Sequence, residues 1–234
     1  MDPAEFIFIN EDFTSSDVAP ADMDRLLAGG WRHFGTYFFR YSIAYHRNRY
    51  RLVIPLRIRM SRFELSKSLR RVIRKNADLK AVVRPTVLDE EKECLFERHS
   101  RRFVTGRPES LVHFLDPNAA TVPCPGKEIC VYSGAGELLA ASFFDDAEES
   151  ISAVYAMFDP RESRRSLGIY TLMLESEFAR ETGKRFHYLG YAYAGRSFYD
   201  YKKRFTGTER YDWRGGWTEY RPLDEMKRPA PFEP

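Results

Sequence analysis

The stretch from Ile151 to Gly190, ISAVYAMFDPRESRRSLGIYTLMLESEFARETGKRFHYLG, limits the folds open to this chain more than any other. Its β-branched and aromatic opening, Ile151 to Phe158, has strand composition and is halted by Asp159-Pro160. Leu167, Tyr170, Leu174 and Phe178 then recur at helical spacing, and Gly183 stands where a helix would stop. Phe186 to Tyr193 returns to strand composition. Between the first strand and the helix lies a cationic turn, Arg164-Arg165-Ser166-Leu167-Gly168. A helix N-terminus presents unpaired amides and a partial positive charge, so this junction suits an anionic or electron-rich group. The order predicts an α/β (α+β) protein whose mixed sheet holds the two strands adjacent and parallel, bridged by a helix over Arg165–Glu181.

The flanking segments divide the chain in three. Residues 1–57 read as an N-terminal subdomain, with a short helix from Ala21 to Ala28 ended by Gly29-Gly30 and aromatic strands near Thr36 to Tyr45 and Tyr50 to Arg59. Residues 58–221 hold the main domain. In it Ser66 caps a basic helix that ends near Asn76, and Val82 to Gly106 is charged and helical in its middle. Val112 to Lys127, with Pro117, Pro123 and Pro125, reads as a loop, and Glu128 to Asp145 as two strands meeting at Gly134-Ala135-Gly136. Residues 222–234 contain four prolines and read as a tail with little order.

A net charge of +3 over 234 residues hides a local concentration: eight Lys or Arg lie between Ser61 and Arg84, against Glu64 and Asp78. At about 100° per residue, Leu69, Val72 and Ile73 share one face of the basic helix. Lys67, Arg70, Arg71, Arg74 and Lys75 share the other. Five cations without an interleaved acid repel one another, a cost that a bound polyanion would offset. The plain alternative is a solvated charged face.

Other features exclude rather than select. No apolar run reaches the roughly 18 residues of a membrane helix, so an intracellular, cytoplasmic location is expected. Cys94, Cys124 and Cys130 are odd in number and lack metal-ligand spacing, which reads as reduced thiols. His33, His46, His99, His113 and His187 are scattered, and none forms a nucleophile motif with a serine or cysteine. His187, within a strand, reads as packed.

The wording of the core goes further than its pattern. The strand–turn–helix–strand order is similar to the core of acetyltransferase-type (GNAT) folds. SAVYAMFDP (Ser152 to Pro160), RSLGIY (Arg165 to Tyr170), YLGY (Tyr188 to Tyr191) and Tyr201-Lys202 occur in order. With SKSLRRVIRKNAD (Ser66 to Asp78) and the strand ending in Asp145, they resemble the aminoacyl-tRNA–protein transferases, the arginyl-transferases and their bacterial leucyl relatives. The resemblance spans about Phe39 to Trp217 and implies a GNAT-like mixed sheet with flanking helices. It implies aminoacyl-tRNA as co-substrate, with no separate cofactor, and a protein or peptide amine as acceptor. It places Lys67, Arg70, Arg71, Arg74, Lys75, Asn76, Arg165, Ser166, Gly168 and Lys202 toward the tRNA donor. Asp145, Ser152 and Trp217 fall toward the acceptor, and Tyr155, Tyr191 and Tyr201 toward the chemistry. The family's cysteine cluster falls on Ile43, His46 and Arg49, which cannot complete a four-ligand site, so no metal is expected there. Phe198-Tyr199 stands where relatives carry Lys-Met.

The implied chemistry is aminolysis of an ester. It needs a deprotonated amine, donors for the carbonyl oxygen and a proton for the leaving ribose oxygen, but no covalent enzyme intermediate. Two other classes fit the same fold: an acyl-coenzyme A N-acyltransferase and a non-catalytic RNA-binding relative. The extended basic helix argues against the first, since coenzyme A needs no such face, and the retained core wording against the second.

Overall fold

A computed structural model describes residues 7–46, 48–103 and 107–221; the proline-rich tail lies outside the described residues. Strand β1 (Asn10–Thr14) is followed by helix α1 (Pro20–Ala28), β2 (Arg32–Phe34) and β3 (Tyr37–Tyr41). The three strands form an antiparallel sheet in the order β1-β3-β2. Strand β4 (Ile43–His46) turns into the long β5 (Arg49–Arg59), and helix α2 (Lys67–Lys75) follows. β5 runs across residue 57, the boundary drawn above, and its residues 53–59 pair with the main sheet.

Then come β6 (Lys80–Pro85), α3 (Glu90–Ser100), β7 (Gly126–Tyr132), β8 (Leu138–Asp146), β9 (Ser150–Phe158), α4 (Leu167–Glu181) and β10 (Phe186–Tyr193). β11 (Thr208–Tyr211) and β12 (Trp217–Glu219) close the chain's described order. The large sheet runs β12-β11-β5-β10-β9-β8-β7-β6, with β4 paired to β5. β9 and β10 are its parallel neighbours, joined through α4, as the sequence pattern predicts, and the architecture is the expected acetyltransferase-like one. Parallel strands put the C-terminal ends of β9 and β10 and the N-terminus of α4 at one edge of the sheet.

Three details differ from expectation. Lys80–Pro85 is a strand that pairs with β7, its half-buried Val82 and Arg84 alternating with exposed Ala81, Val83 and Pro85 at sheet spacing. α4 opens at Leu167, since a 3-10 turn over Pro160–Arg165 and a left-handed Ser166 (φ 59°) delay it. On α2, Leu69 is buried but Ile73 is exposed, so the apolar face is narrower than the wheel suggests.

Ser66 caps α2 by accepting from the Leu69 amide at 3.3 Å. Its short apolar face lies on the main core of Leu56, Ile58, Ile151, Leu167 and Leu189. A second core, around Leu95, Phe96, Leu111 and Phe143, fills the side covered by α3. A third, of Met23, Leu27, Phe38 and Tyr188, joins α1 and the small sheet to the large one.

Candidate functional site

β9 and β10 pair only from Ser150↔Phe186 to Ser152↔Tyr188, although both run on for several residues. Each strand is irregular at that point. The β8–β9 register skips Val154, and the β10–β5 register skips Leu189. An extra residue bends a strand, so two skips at the same level open the sheet into a fork. Backbone groups freed by the parting need partners.

Two cations supply them. Arg32, from β2 of the small sheet, donates through Nη1 to Ser152 Oγ at 2.6 Å and through Nη2 to the Ala153 carbonyl on the β9 side. Lys202, from a 3-10 turn over Phe198–Arg204, donates to the Leu189 carbonyl on the β10 side at 2.6 Å. Between them lies Gly190, with φ of +81°. A Cβ there would sit 3.4 Å from both the Arg32 guanidinium and Lys202 Nζ, so this glycine lets the cations approach.

Burial, and then the neighbouring Arg32, push the Lys202 ammonium down to about 7, while Glu175 opposes this. Burial also lowers Arg32, against the carboxylate of Asp145. Glu175 belongs to a fully buried chain: His187 Nε2 lies 3.0 Å from Glu175 Oε2, and His187 Nδ1 lies 2.9 Å from Ser176 Oγ. The three residue types are those of a hydrolase triad, but Ser176 is inaccessible and its hydroxyl donates to the Leu172 carbonyl at 3.0 Å. Through Glu175 the chain acts electrostatically on both Lys202 and Arg32.

Aromatic rings line the approach. Tyr191 donates its hydroxyl to the Gly30 carbonyl at 2.7 Å and meets Tyr41 edge-on at 5.2 Å. Burial raises both phenols, Tyr41 to about 12. Burial raises Tyr201 as well, and Glu175 and Tyr199 act on it electrostatically. The arrangement sets a guanidinium and a buried amine side by side where the two strands part.

Comparison with known proteins gives the family. The model of the family described as "Arginine-tRNA-protein transferase, C terminus" matches residues 86–212. An aspartate/glutamate leucyltransferase of Chromohalobacter salexigens is 30% identical over 205 residues, covering 86% of this chain and 81% of that protein. The chain belongs to the aminoacyl-tRNA–protein transferase family. An aspartate/glutamate leucyltransferase of Stenotrophomonas maltophilia is 29% identical over 195 residues, covering 80% of this chain and 76% of that one. Among solved structures, a C-terminal domain (DUF2156) ascribed to a lysylphosphatidylglycerol synthetase of Agrobacterium fabrum shares the fold at a TM-score of 0.50. It is 15% identical and covers 82% of this chain and 61% of that one.

For this transferase the residues singled out in the sequence fall into three places. Tyr191, Lys202 and Ser152 meet at the fork through Arg32, with Tyr201 beside them. Lys75, Asn76 and Arg165 meet where α2 reaches the turn before α4. Asn76 is buried there and donates to the Val72 and Arg165 carbonyls at 2.9 and 3.0 Å, and Lys75 donates to the Arg164 carbonyl. Arg165 itself is held by Asp78, at 2.8 and 3.0 Å, and by Glu162 at 2.8 Å, so it fastens helix to helix. Lys67, Arg70, Arg71 and Arg74 are exposed and form no ion pair among the described residues. Ser166 and Gly168 open α4, and a Cβ on Gly168 would make ordinary contact with the Phe158 ring at 3.6 Å.

Of the third group, Asp145 stands opposite Ser152 in the β8–β9 register and acts electrostatically on Arg32, while Tyr155 and Trp217 belong to the second and third cores. Tyr155 stacks on Phe114 at 4.0 Å in the second core, where its buried hydroxyl has no hydrogen-bond partner among the described residues. Asp145 holds His33 at 2.9 Å, and Trp217 donates to the Ala28 carbonyl at 2.9 Å, so both fasten the small sheet and α1 to the large sheet. Ile43, His46 and Arg49 lie on the β4–β5 hairpin, where His46 pairs with Arg49. Among the described residues no helix is long and apolar enough to cross a membrane.

Arg32 is the residue that sequence reasoning missed. Its signal was available: an Arg-His pair inside the aromatic segment GGWRHFG (Gly29 to Gly35), where a buried cation requires a partner. Glu175 was missed for the same reason, as an acid on the buried side of α4.

Proposed function

We propose that this protein transfers an amino acid from aminoacyl-tRNA to the amine of a protein or peptide acceptor by direct aminolysis of the tRNA ester. The observation that carries it is the fork at Ser152 and Tyr188, with Lys202 beside Arg32 and Gly190 at its base. The ester carbonyl lies in the fork, where Arg32 and the α4 N-terminus supply positive potential for the developing oxyanion. Lys202, neutral in a substantial fraction near pH 7, takes the proton from the acceptor ammonium. Tyr201 sits next to it for the leaving ribose oxygen. Positioning supplies much of the rate, which agrees with a site lacking an activated nucleophile. The exposed face of α2 meets tRNA phosphates.

The leucyltransferase names of the bacterial relatives favour leucine as the transferred group and an amino-terminal Asp or Glu as the acceptor. The acyl-coenzyme A alternative is less well supported, because Ala153 and Leu189 carbonyls, which amides of an inserted cofactor would use, already accept from Arg32 and Lys202.

The deciding experiment incubates the protein with separately charged, radiolabelled Leu-tRNA and Arg-tRNA, and with labelled acetyl-coenzyme A. Acceptor peptides begin with Asp, Glu, oxidised Cys or Ala. Label should pass from Leu-tRNA to the Asp and Glu peptides. Transfer from acetyl-coenzyme A alone would replace this function with the acyl-coenzyme A one.

A further inference from the structure

The C-terminal end of β10 carries aromatic rings that the reaction above does not use. Lys202 Nζ lies 5.4 Å from the centroid of the Tyr199 ring. From Tyr199 the rings continue outward to Tyr193 at 5.8 Å, nearly perpendicular, and from Tyr193 to His46 on the β4–β5 hairpin at 5.7 Å. Phe198 stands edge-on to Tyr199 at 6.0 Å and is 74% exposed. An exposed phenylalanine beside an exposed tyrosine leaves apolar area in water, which a partner would remove.

The surroundings are cationic. Arg51 acts electrostatically on Tyr193 and reaches within 3.8 Å of the Cβ position of Gly195. Its Nε is enclosed without a hydrogen-bond partner among the described residues. The adjacent acid, Asp200, is neutralised by Lys203 at 2.8 Å. Aromatic faces interleaved with arginine, and little free negative charge, match a nucleic acid better than a protein surface. Tyr199 stands edge-on to both Tyr193 and Phe198, while His46 is tilted by 34° to Tyr193, and faces turned in different directions accept splayed bases, not a stacked duplex.

We propose that Phe198, Tyr199, Tyr193 and His46, with Arg51, form a stacking platform for the unpaired nucleotides at the 3′ end of tRNA. This rests on tRNA being the donor. The platform begins beside Lys202, so a base on Tyr199 would hold the terminal ribose ester at the mouth of the fork.

The test measures binding of intact, uncharged tRNA and of the same tRNA trimmed of its unpaired 3′ nucleotides, at one salt concentration. It uses the wild type, a Phe198→Ala/Tyr199→Ala double variant and Tyr199→Phe. Both rings are exposed, so the variants should melt with the wild type. The wild type should bind intact tRNA about tenfold or more tighter than trimmed tRNA, in line with the worth of base–aromatic stacking. The double variant should lose that preference, and Tyr199→Phe should keep it. A double variant with the full preference, or a wild type that binds both tRNAs equally, overturns the platform while leaving the donor assignment standing. A wild type that binds neither tRNA overturns both.

Discussion

At the scale of single residues, the site depends on two cations held where the sheet comes apart. Arg32 satisfies Ser152 Oγ and the Ala153 carbonyl together, which no shorter side chain can do. Arg32→Ala should cost about 1–3 kcal/mol for the buried acceptors left unpaired, read as a lower urea midpoint. Transfer should fall even at temperatures where the variant is folded; an unaltered midpoint would show the fork does not need the guanidinium. Lys202 is held near 7 by burial and by Arg32. Transfer should therefore rise with pH along a limb centred near 7, and Lys202→Met should abolish that limb. The same group sets a sign for stability. An unfolded lysine keeps its proton to about 10.4. The folded one releases it near 7. Between these values the unfolded state binds more protons, so stability relative to Lys202→Met should grow as pH rises from 7 toward 10. A difference that shrinks over that range would refute the buried amine.

At the scale of elements, α2 and the turn before α4 form one unit. Asn76 and Arg165 clamp them together, and Arg165 holds the Asp78 carboxyl below the usual range through its hydrogen bonds. That leaves Lys67, Arg70, Arg71 and Arg74 as the outward charges. Arg70→Ala with Arg74→Ala should weaken tRNA binding and reduce the slope of log affinity against log salt by about two, since each lost phosphate contact removes roughly one released counterion. An unchanged slope in a salt titration would return α2 to a solvated face. The sequence made this helix legible because its cap, period and charge are all local. Arg165 was harder to place, because its partner Asp78 lies far away in the chain and its side chain serves the junction.

At the scale of the whole molecule, the small sheet completes the site of the large one. β2 delivers Arg32 to β9 and, one residue on, His33 to Asp145 of β8. His33→Ala leaves the buried Asp145 carboxylate without its partner and should lower stability by about 1–3 kcal/mol. It should also depress transfer, because Arg32 rides on the same strand; a variant of wild-type activity and midpoint would separate the small sheet from catalysis. What the sequence alone determined was the strand–helix–strand core, its parallel pairing, the basic helix and the family, since periodicity, caps and ordered motifs are written in neighbouring residues. Only the tertiary structure showed that Tyr155 stacks in the second core, that Trp217 bonds the Ala28 carbonyl, that Tyr191 tethers the small sheet, and that Arg32 and Gly190 share the fork with Lys202. Those roles come from the parting of two strands and the docking of a distant third. Contacts across such separations leave no period in the chain for a local pattern to reveal.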